Sequence, residues 1–317
     1  MANERDCLLD GLRFNLGPVI MEALEDPDVV EIMLNPDGKI WIEKLGRDQE
    51  ECGTLEYGKA MSVILLMASA LNFEATVESP IVEGELPFDG SRFEGSIPPI
   101  VSQASFTIRK KASSVFSLEQ YVEKGIMPGH LLEVISDAIS KRLNILVVGG
   151  TGSGKTTLVN GLIMKLSELA PKHRLVIMED TLELQSKSAN TVFLRTSAFV
   201  DMNALLKMTM RYRPDRILIG EVRGEAALDL LKAWNTGHPG GMSTVHANSA
   251  EEGLERLEEL TEEAGKGPKQ KLIGRAVDLI LFIQRVPGGR RITQAIKVNG
   301  YDPVAQIYKI EEIHNEL

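Results

Sequence analysis

The sequence predicts an α/β protein in two units. The C-terminal unit is built on a mostly parallel sheet with helices on both faces, and a smaller N-terminal α/β unit is built on an antiparallel sheet. Three observations carry this. Beyond residue 157 strand and helix patterns alternate, and strands such as Leu175-Val176-Ile177-Met178 are continuous apolar runs, as expected when both faces are covered. Before residue 111 short strands are separated by Gly, Pro and Asp turns, the pattern of a hairpin-connected sheet. The 317 residues are enough for two hydrophobic cores.

The N-terminal unit is expected over residues 1–111. Apolar residues recur at helical spacing over 8–24, with Pro18 as a break or restart. Residues 31–34 read as a strand, Asn35-Pro36-Asp37-Gly38 has turn chemistry, and residues 39–43 alternate as the returning strand. A long helix is expected over 57–71. Short strands follow near 75–78, 81–86, 92–97 and Ser105–Arg109, with Asp89-Gly90 as the turn between two of them. Ala112-Ser113-Ser114 is a polar joint, so residues 112–117 are read as a linker and 118–317 as the second unit.

The second unit begins with a short helix, Leu118–Glu123, stopped at Gly125, and a helix over 131–141. A buried strand follows, Asn144-Ile145-Leu146-Val147-Val148, and then Gly149-Gly150-Thr151-Gly152-Ser153-Gly154-Lys155-Thr156-Thr157. Gly149, Gly154, Lys155 and Thr156 fit G-x-x-x-x-G-K-[ST] at every required position. The chemistry explains the spelling. Glycines let backbone N–H groups turn inward around a phosphate, and the following helix offers its unpaired N–H groups and positive dipole end to the same anion. Lys155 can reach the β- and γ-phosphates of ATP, and the Thr156 hydroxyl can hold Mg²⁺. Leu158, Leu162, Ile163 and Leu166 supply the apolar face of the helix that this loop requires.

Downstream, Asp201 looks like the N-cap of a helix that must end before Pro214. Residues 216–221 form another buried strand, 226–234 a helix that Gly237 can close, and Met242–Val245 a third strand. Ser249-Ala250-Glu251-Glu252 is a capping box that starts a helix running to residue 264. A strand over 277–283, a turn at Gly288-Gly289, a strand over 292–298 and a last strand over 305–310 close the chain as a hairpin. Strands alternating with helices after a phosphate loop make this a RecA-like unit. The chain carries no internal repeat.

Hydrolysis needs a carboxylate at the end of a strand beside the phosphate loop. Two strands end in acids, at Glu179-Asp180 and at Glu221. Glu221 directly follows a buried strand and is the expected base that polarises water. Glu179 is the second candidate, sharing the water or the metal shell. The competing reading of each is a solvated acid at a strand end. His238 and His246 flank a Gly-rich loop and a strand. A metal site would need further ligands, so a γ-phosphate sensor fits them better. Arg92 and Arg109 look like surface residues by pattern alone, although an arginine can stabilise charge on a transferring phosphoryl.

The formal net charge of −10 argues against binding nucleic acid by bulk electrostatics, and the local cluster Arg109-Lys110-Lys111 does not reverse this. Cys7 and Cys52 form no C-x-x-C pair, which excludes a zinc ribbon and fits a reducing cytosol. The longest apolar run, over 60–73, contains Ser62, Ser69 and Asn72 and is too short to span a bilayer. No signal-peptide apolar core follows the first residues. Membrane contact would be peripheral or through a partner.

Together these motifs resemble the secretion ATPase superfamily of type II and type IV secretion and type IV pilus motors. Residues 149–156 look like its Walker A, and Val176-Ile177-Met178-Glu179-Asp180-Thr181 like its Asp box. Residues 210–223, ending Gly220-Glu221-Val222-Arg223, are similar to its glutamate-ending Walker B. Thr236-Gly237-His238-Pro239-Gly240 with Ser243-Thr244-Val245-His246-Ala247-Asn248 resembles its His box. The N-terminal pattern around Glu31, Gly90-Ser91-Arg92-Phe93 and Phe106-Thr107-Ile108-Arg109-Lys110 is similar to the conjugative type IV secretion branch. The resemblance implies a homohexameric ATPase ring at the cytoplasmic face of the inner membrane, working with other secretion-channel proteins. It implies that an N-terminal unit folds over the nucleotide and brings Arg92 and Arg109 to the phosphates. The four-cysteine zinc module of type II members and the C-terminal arginine-rich signature of the retraction branch are both missing from this sequence. A pilus motor, a DNA translocase and a nucleotide-dependent ring scaffold remain the rival expectations.

Overall fold

The computed structural model describes residues 2–111, 115–197, 199–265 and 267–316. The chain divides into two compact units, Met1–Ser114 and Val115–Leu317. Of the expected linker, residues 112–114 lie outside the described residues.

In the first unit, α1 (Ala2–Glu25) is two helices joined at a kink, because Gly17 has φ 73° and Pro18 follows it. Then come β1 (Val29–Leu34), β2 (Lys39–Lys44), β3 (Glu50–Thr54), α2 (Tyr57–Ala70), β4 (Ile81–Glu85), β5 (Arg92–Ser96) and β6 (Ser105–Arg109). Among the described residues the strands form a six-stranded sheet in the order β3-β2-β1-β6-β5-β4. Every pairing in it is antiparallel. Leu12, Leu16 and Ile20 of α1 and Val63, Ile64 and Met67 of α2 pack with Ile32, Phe93 and Ile108 into one core. Phe93 and Ile108 point into it, so Arg92 and Arg109 lie on the other face.

One local expectation needs correcting, and one strand carries no sequence signal. The strand near 75–78 is a turn closed by reciprocal bonds between Thr76 and Ser79. Its one large apolar side chain, Val77, is 72% exposed, so no buried face holds it in a sheet. Conversely, β3 is a strand although Glu50-Glu51-Cys52-Gly53-Thr54 has no apolar alternation. As an edge strand it buries none of its residues and is held by its ladder to β2.

The second unit runs α3 (Leu118–Glu123), α4 (Gly129–Ser140), β7 (Ile145–Val148), α5 (Lys155–Leu169), β8 (Leu175–Glu179), β9 (Thr191–Arg195) and α6 (Met202–Thr209). It continues β10 (Arg216–Ile219), α7 (Ala226–Asn235), β11 (Met242–Val245), α8 (Glu252–Glu263), α9 (Gln270–Ala276), β12 (Leu279–Val286), β13 (Gly289–Asp302) and β14 (Ile307–Asn315). The described strands form an eight-stranded sheet, β14-β13-β12-β7-β11-β10-β8-β9. It is parallel from β12 to β9 and antiparallel through the β12–β13–β14 meander. Ile145 and Val147 pack into one apolar cluster with α4 and α5, while Leu146 and Val148 pack into another with α7 and α8. Both faces are therefore covered, which is why these strands read as unbroken apolar runs.

The strand order corrects the placement of the two acids. The sequence reading put their strands beside β7. In the sheet β11 lies between β7 and β10, and β8 is one strand further out. Crossovers of similar length cannot reveal this order. The capping box of α8 is also altered. Ser249 Oγ accepts from Glu252 N at 3.1 Å, but the Glu252 carboxylate bonds Asn248 N rather than Ser249 N.

The lower, N-terminal ends of the parallel strands are tied by buried polar side chains. Asn144 Oδ1 accepts from Gly240 N and Gly241 N, and its amide donates to Ala276 O. Arg216, 1% exposed, donates to Gly240 O, Ile139 O and His173 Nδ1. Burial brings its guanidinium down to about 10.

Candidate active site

The site forms at the upper ends of β7, β11, β10 and β8, where the parallel strands release their loops. Residues 149–154 leave β7 and turn at Gly152 and Gly154, whose φ values of +66° and +98° are left-handed. A Cβ on Gly149 would lie 2.2 Å from Ile283 O, so only glycine lets the loop pass this close to β12. Helix α5 starts at Lys155 with no side-chain cap and no acid in its first turn. Its first N–H groups and its positive dipole end are therefore offered to the loop. The Ser153 hydroxyl is buried there without a hydrogen-bond partner, a polar atom that a phosphate oxygen would satisfy. These features fit a phosphate chain.

Lys155, 7% exposed, reaches back over the loop. Its Nζ donates to Gly149 O and Gly150 O at 2.9 and 2.8 Å and lies 3.2 Å from His246 Nδ1. His246 Nε2 is also within reach of Nζ, at 3.4 Å, so either ring nitrogen can be the acceptor that an ammonium requires. His246 Nε2 also lies 3.6 Å from Glu221 Oε1. His246 stands directly after β11, the strand next to β7, and this places it between the lysine and the acid. Glu221 in turn receives two parallel bonds from Arg223, Nε to Oε1 and Nη2 to Oε2, both 2.9 Å. Burial pushes the Glu221 carboxyl up, but the Arg223 hydrogen bonds and the charges of Arg223, His246 and Lys155 outweigh it and hold the group below its ordinary value. An open cavity of about 430 Å³ adjoins these groups, lined by Thr151, Glu221, Arg223, His246, Arg256 and Glu263.

The structure does not bring all the expected residues together. His238 precedes β11 and lies at its lower end, with Nδ1 3.3 Å from Pro214 O, while His246 lies at the upper end. The pair brackets a strand, and a strand separates its two ends. Glu179 is 3% exposed and accepts from Glu183 N and Leu184 N, and a Cβ on Gly220 would press on its side chain. It braces the loop after β8. Thr156 and Thr157 are half-buried in the first turn of α5. Among the described residues no group of three or more His, Cys, Asp or Glu side chains could hold a metal. In the first unit, Arg92 and Arg109 sit directly opposite each other in the β5–β6 ladder. They share a face, and two like charges so placed weaken the sheet.

Three residues escaped the sequence reading. Arg223 lies in the Walker B-like segment, two residues after the glutamate, and no local pattern marks it as a partner of that acid. Arg285 of β12 and Arg290 of β13 both donate through Nε to Gly152 O, at 3.2 and 3.1 Å. Their only sequence signal is basic residues on either side of the Gly288-Gly289 turn, and nothing local says that this hairpin reaches the phosphate loop.

Comparison with known proteins places this geometry. Residues 16–300 match the family described as T2SSE, type II/IV secretion system protein. The probable conjugal transfer protein TrbB of Sinorhizobium fredii (strain NBRC 101917 / NGR234) is 52% identical over 294 residues, covering 93% of this chain and 90% of that one. Protein VirB11 of Agrobacterium fabrum is 30% identical over 309 residues, covering 85% and 88%. Among solved structures, the Yersinia pseudotuberculosis ATPase DotB aligns with a TM-score of 0.66 at 20% identity, over 90% of this chain and 78% of that one, a likeness of fold.

Proposed function

The chain belongs to the type II/IV secretion system protein family, and from that premise we propose that it is a Mg²⁺-dependent ATPase motor of a conjugative type IV secretion system, powering pilus assembly or substrate transfer. The observation that carries the reading is the run Lys155–His246–Glu221 at the mouth of the phosphate loop.

ATP lies with its phosphates on the N–H groups of residues 149–156. Lys155 exchanges its carbonyl partners for the β- and γ-phosphate oxygens. Thr156 would hold Mg²⁺, which would supply charge neutralisation at those phosphates. Glu221 takes a proton from the attacking water, and its depressed pKa keeps it ionised at neutral pH. His246 reports the phosphate state, and His238 takes no part. Glu179 positions the loop that carries Asp180, and a share in the metal shell would require its bonds from Glu183 N and Leu184 N to break. Arg92 and Arg109, a like-charged pair that the sheet itself does not need, neutralise the γ-phosphate. The unit over 1–111 serves as the mobile partner of the unit over 118–317 in a homohexameric ring. That ring works at the cytoplasmic face of the inner membrane, against other secretion-channel proteins. Among the described residues no helix is long and apolar enough to cross a membrane.

The test is ATPase activity and plasmid transfer for Lys155→Ala and Glu221→Gln. Loss of a positioned base lowers kcat by about 10²–10⁴-fold, and both variants lose transfer. A Glu221→Gln chain that binds ATP, assembles and still supports transfer would establish the scaffold reading instead.

A further inference from the structure

We propose that Arg223 is a positioning residue that gates the base: it clamps Glu221 at rest and must pass to Asp180 before Glu221 can accept a proton from water. The proposal rests on the reading of Glu221 as the base.

The clamp is a fork. Arg223 Nε and Nη2 donate to the two different oxygens of Glu221, both at 2.9 Å. This pairing satisfies both oxygens at once and stabilises the charge that a base must give up. A water about to be deprotonated needs a carboxylate oxygen at roughly 2.6–3.2 Å with a lone pair directed at it. With Arg223 on one side and the His246 ring at 3.6 Å on the other, the carboxylate is flanked on both sides. Arg223 therefore acts against the very step that Glu221 performs.

The same guanidinium already faces a second acceptor. Its Nη1 lies 4.0 Å from Asp180 Oδ2. Asp180 Oδ1 is engaged by the Thr196 hydroxyl at 2.9 Å, which leaves Oδ2 towards Arg223. The loop that presents Asp180 is fixed at its root by the Glu179 carboxylate and by Asn160, which bonds Glu183 O and Gln185 N. Asp180 is thus a stationary acceptor, while Arg223 is 60% exposed and stands on a loop beyond the end of β10. A small swing trades one charged partner for another without burying or stranding a charge.

On its far side Glu221 is linked through His246 to Lys155. When Lys155 turns to a γ-phosphate it leaves the His246 ring, and that contact no longer holds the ring in its present orientation. Lys155, His246, Glu221, Arg223 and Asp180 form one continuous line of polar side chains across the upper ends of β7, β11, β10 and β8. A change at the phosphate end is felt at the clamp.

The experiment is steady-state ATP hydrolysis by the full chain, with kcat and KM determined separately. Arg223→Gln frees the base and raises kcat about threefold or more with KM unchanged within about twofold. Arg223→Lys, a single-point cation that cannot form the fork, gives a kcat between wild type and Arg223→Gln. Asp180→Asn removes the receiving charge and lowers kcat about threefold or more. The double variant behaves like Arg223→Gln, because an absent gate needs no receiver. A fall or no change in kcat for Arg223→Gln, no change for Asp180→Asn, or additive effects in the double variant each overturn the gate. Both side chains are about half exposed or more, so the fold tolerates the changes. Glu221→Gln is measured alongside. If it retains turnover, the base reading itself has failed. If it is inert while Arg223→Gln is not faster than wild type, only the gate has failed.

Discussion

Replacing Gly149 by alanine sets the phosphate loop against the strand beside it. The added Cβ would fall 2.2 Å from Ile283 O and 2.6 Å from Ser153 Oγ, where ordinary contact begins at 3.4 Å. The serine can rotate away. The carbonyl cannot, because Ile283 belongs to β12, whose ladder to β7 pairs Phe282 with Val148 immediately before the loop. Relief therefore requires more than an ångström of separation between two central strands, or an equal displacement of the loop. Overpacking of this kind costs about 1–3 kcal/mol. In a unit of this size each kcal/mol lowers Tm by about 2–4 °C, so a cost of about 2 kcal/mol predicts a fall of about 4–8 °C. Displaced N–H groups should also weaken nucleotide binding by about tenfold or more. Thermal unfolding followed by circular dichroism and titration with a non-hydrolysable ATP analogue measure the two effects. Gly150→Ala is the control for stability, since its Cβ meets nothing within 4 Å. A Gly149→Ala chain with wild-type Tm and wild-type affinity would refute the argument.

Other outcomes follow from the same geometry. His246→Ala should lower kcat by about 10²-fold, as for loss of one charge-stabilising donor. His238→Ala, at the other end of β11, should change it by no more than about twofold. Arg285→Ala and Arg290→Ala each remove a guanidinium from Gly152 O and should each weaken nucleotide affinity by about tenfold, read by calorimetric titration. Asp278→Asn should stabilise the protein at pH 7. Burial pushes the Asp278 carboxyl above its ordinary 3.8, only partly offset by the Asn144 N–H and the Lys297 charge. The folded chain thus keeps a proton that the unfolded chain has lost, and stability falls as pH rises through that window. The gain, read as a Tm higher by about 2 °C, should vanish below pH 3.8, where both states are protonated.

Sequence pattern reached furthest where chemistry is local. The phosphate loop spells out much of its own geometry, since Gly154 supplies a left-handed turn and Lys155 bonds the carbonyls of Gly149 and Gly150, while the tightest contact of Gly149, with Ile283 O, is tertiary. The apolar runs of β7, β8, β10 and β11 declare burial on two faces without saying which strand lies beside which. Strand order is a tertiary fact, so the sequence reading could place Glu221 near the phosphate but not His246 between it and Lys155. The same limit explains His238. Eight positions from His246 in sequence, it is separated from it by the whole length of β11, so the two rings face opposite ends of the sheet. Arg285 and Arg290 were invisible because only the β12–β13 pairing folds their hairpin back against residue 152. The polar strand β3 and the seven-residue helix α9 carry too little apolar signal to stand out, and neighbours hold both in place.

The polar ties at Asn144 and Arg216 have a consequence for where the second unit can breathe. Opening the lower strand ends would strand several donors and acceptors in apolar surroundings at once. Amides there should exchange with deuterium only through global unfolding. At the upper ends, Arg223, Asp180 and His246 are held by exposed side-chain pairs that break singly, so the loops around them should exchange through local opening. Only the four residues of β11, about 13 Å of strand, separate these two regimes. A slowly exchanging floor and a rapidly exchanging rim within one short strand would let a phosphate-driven rearrangement proceed without loosening the sheet that supports it.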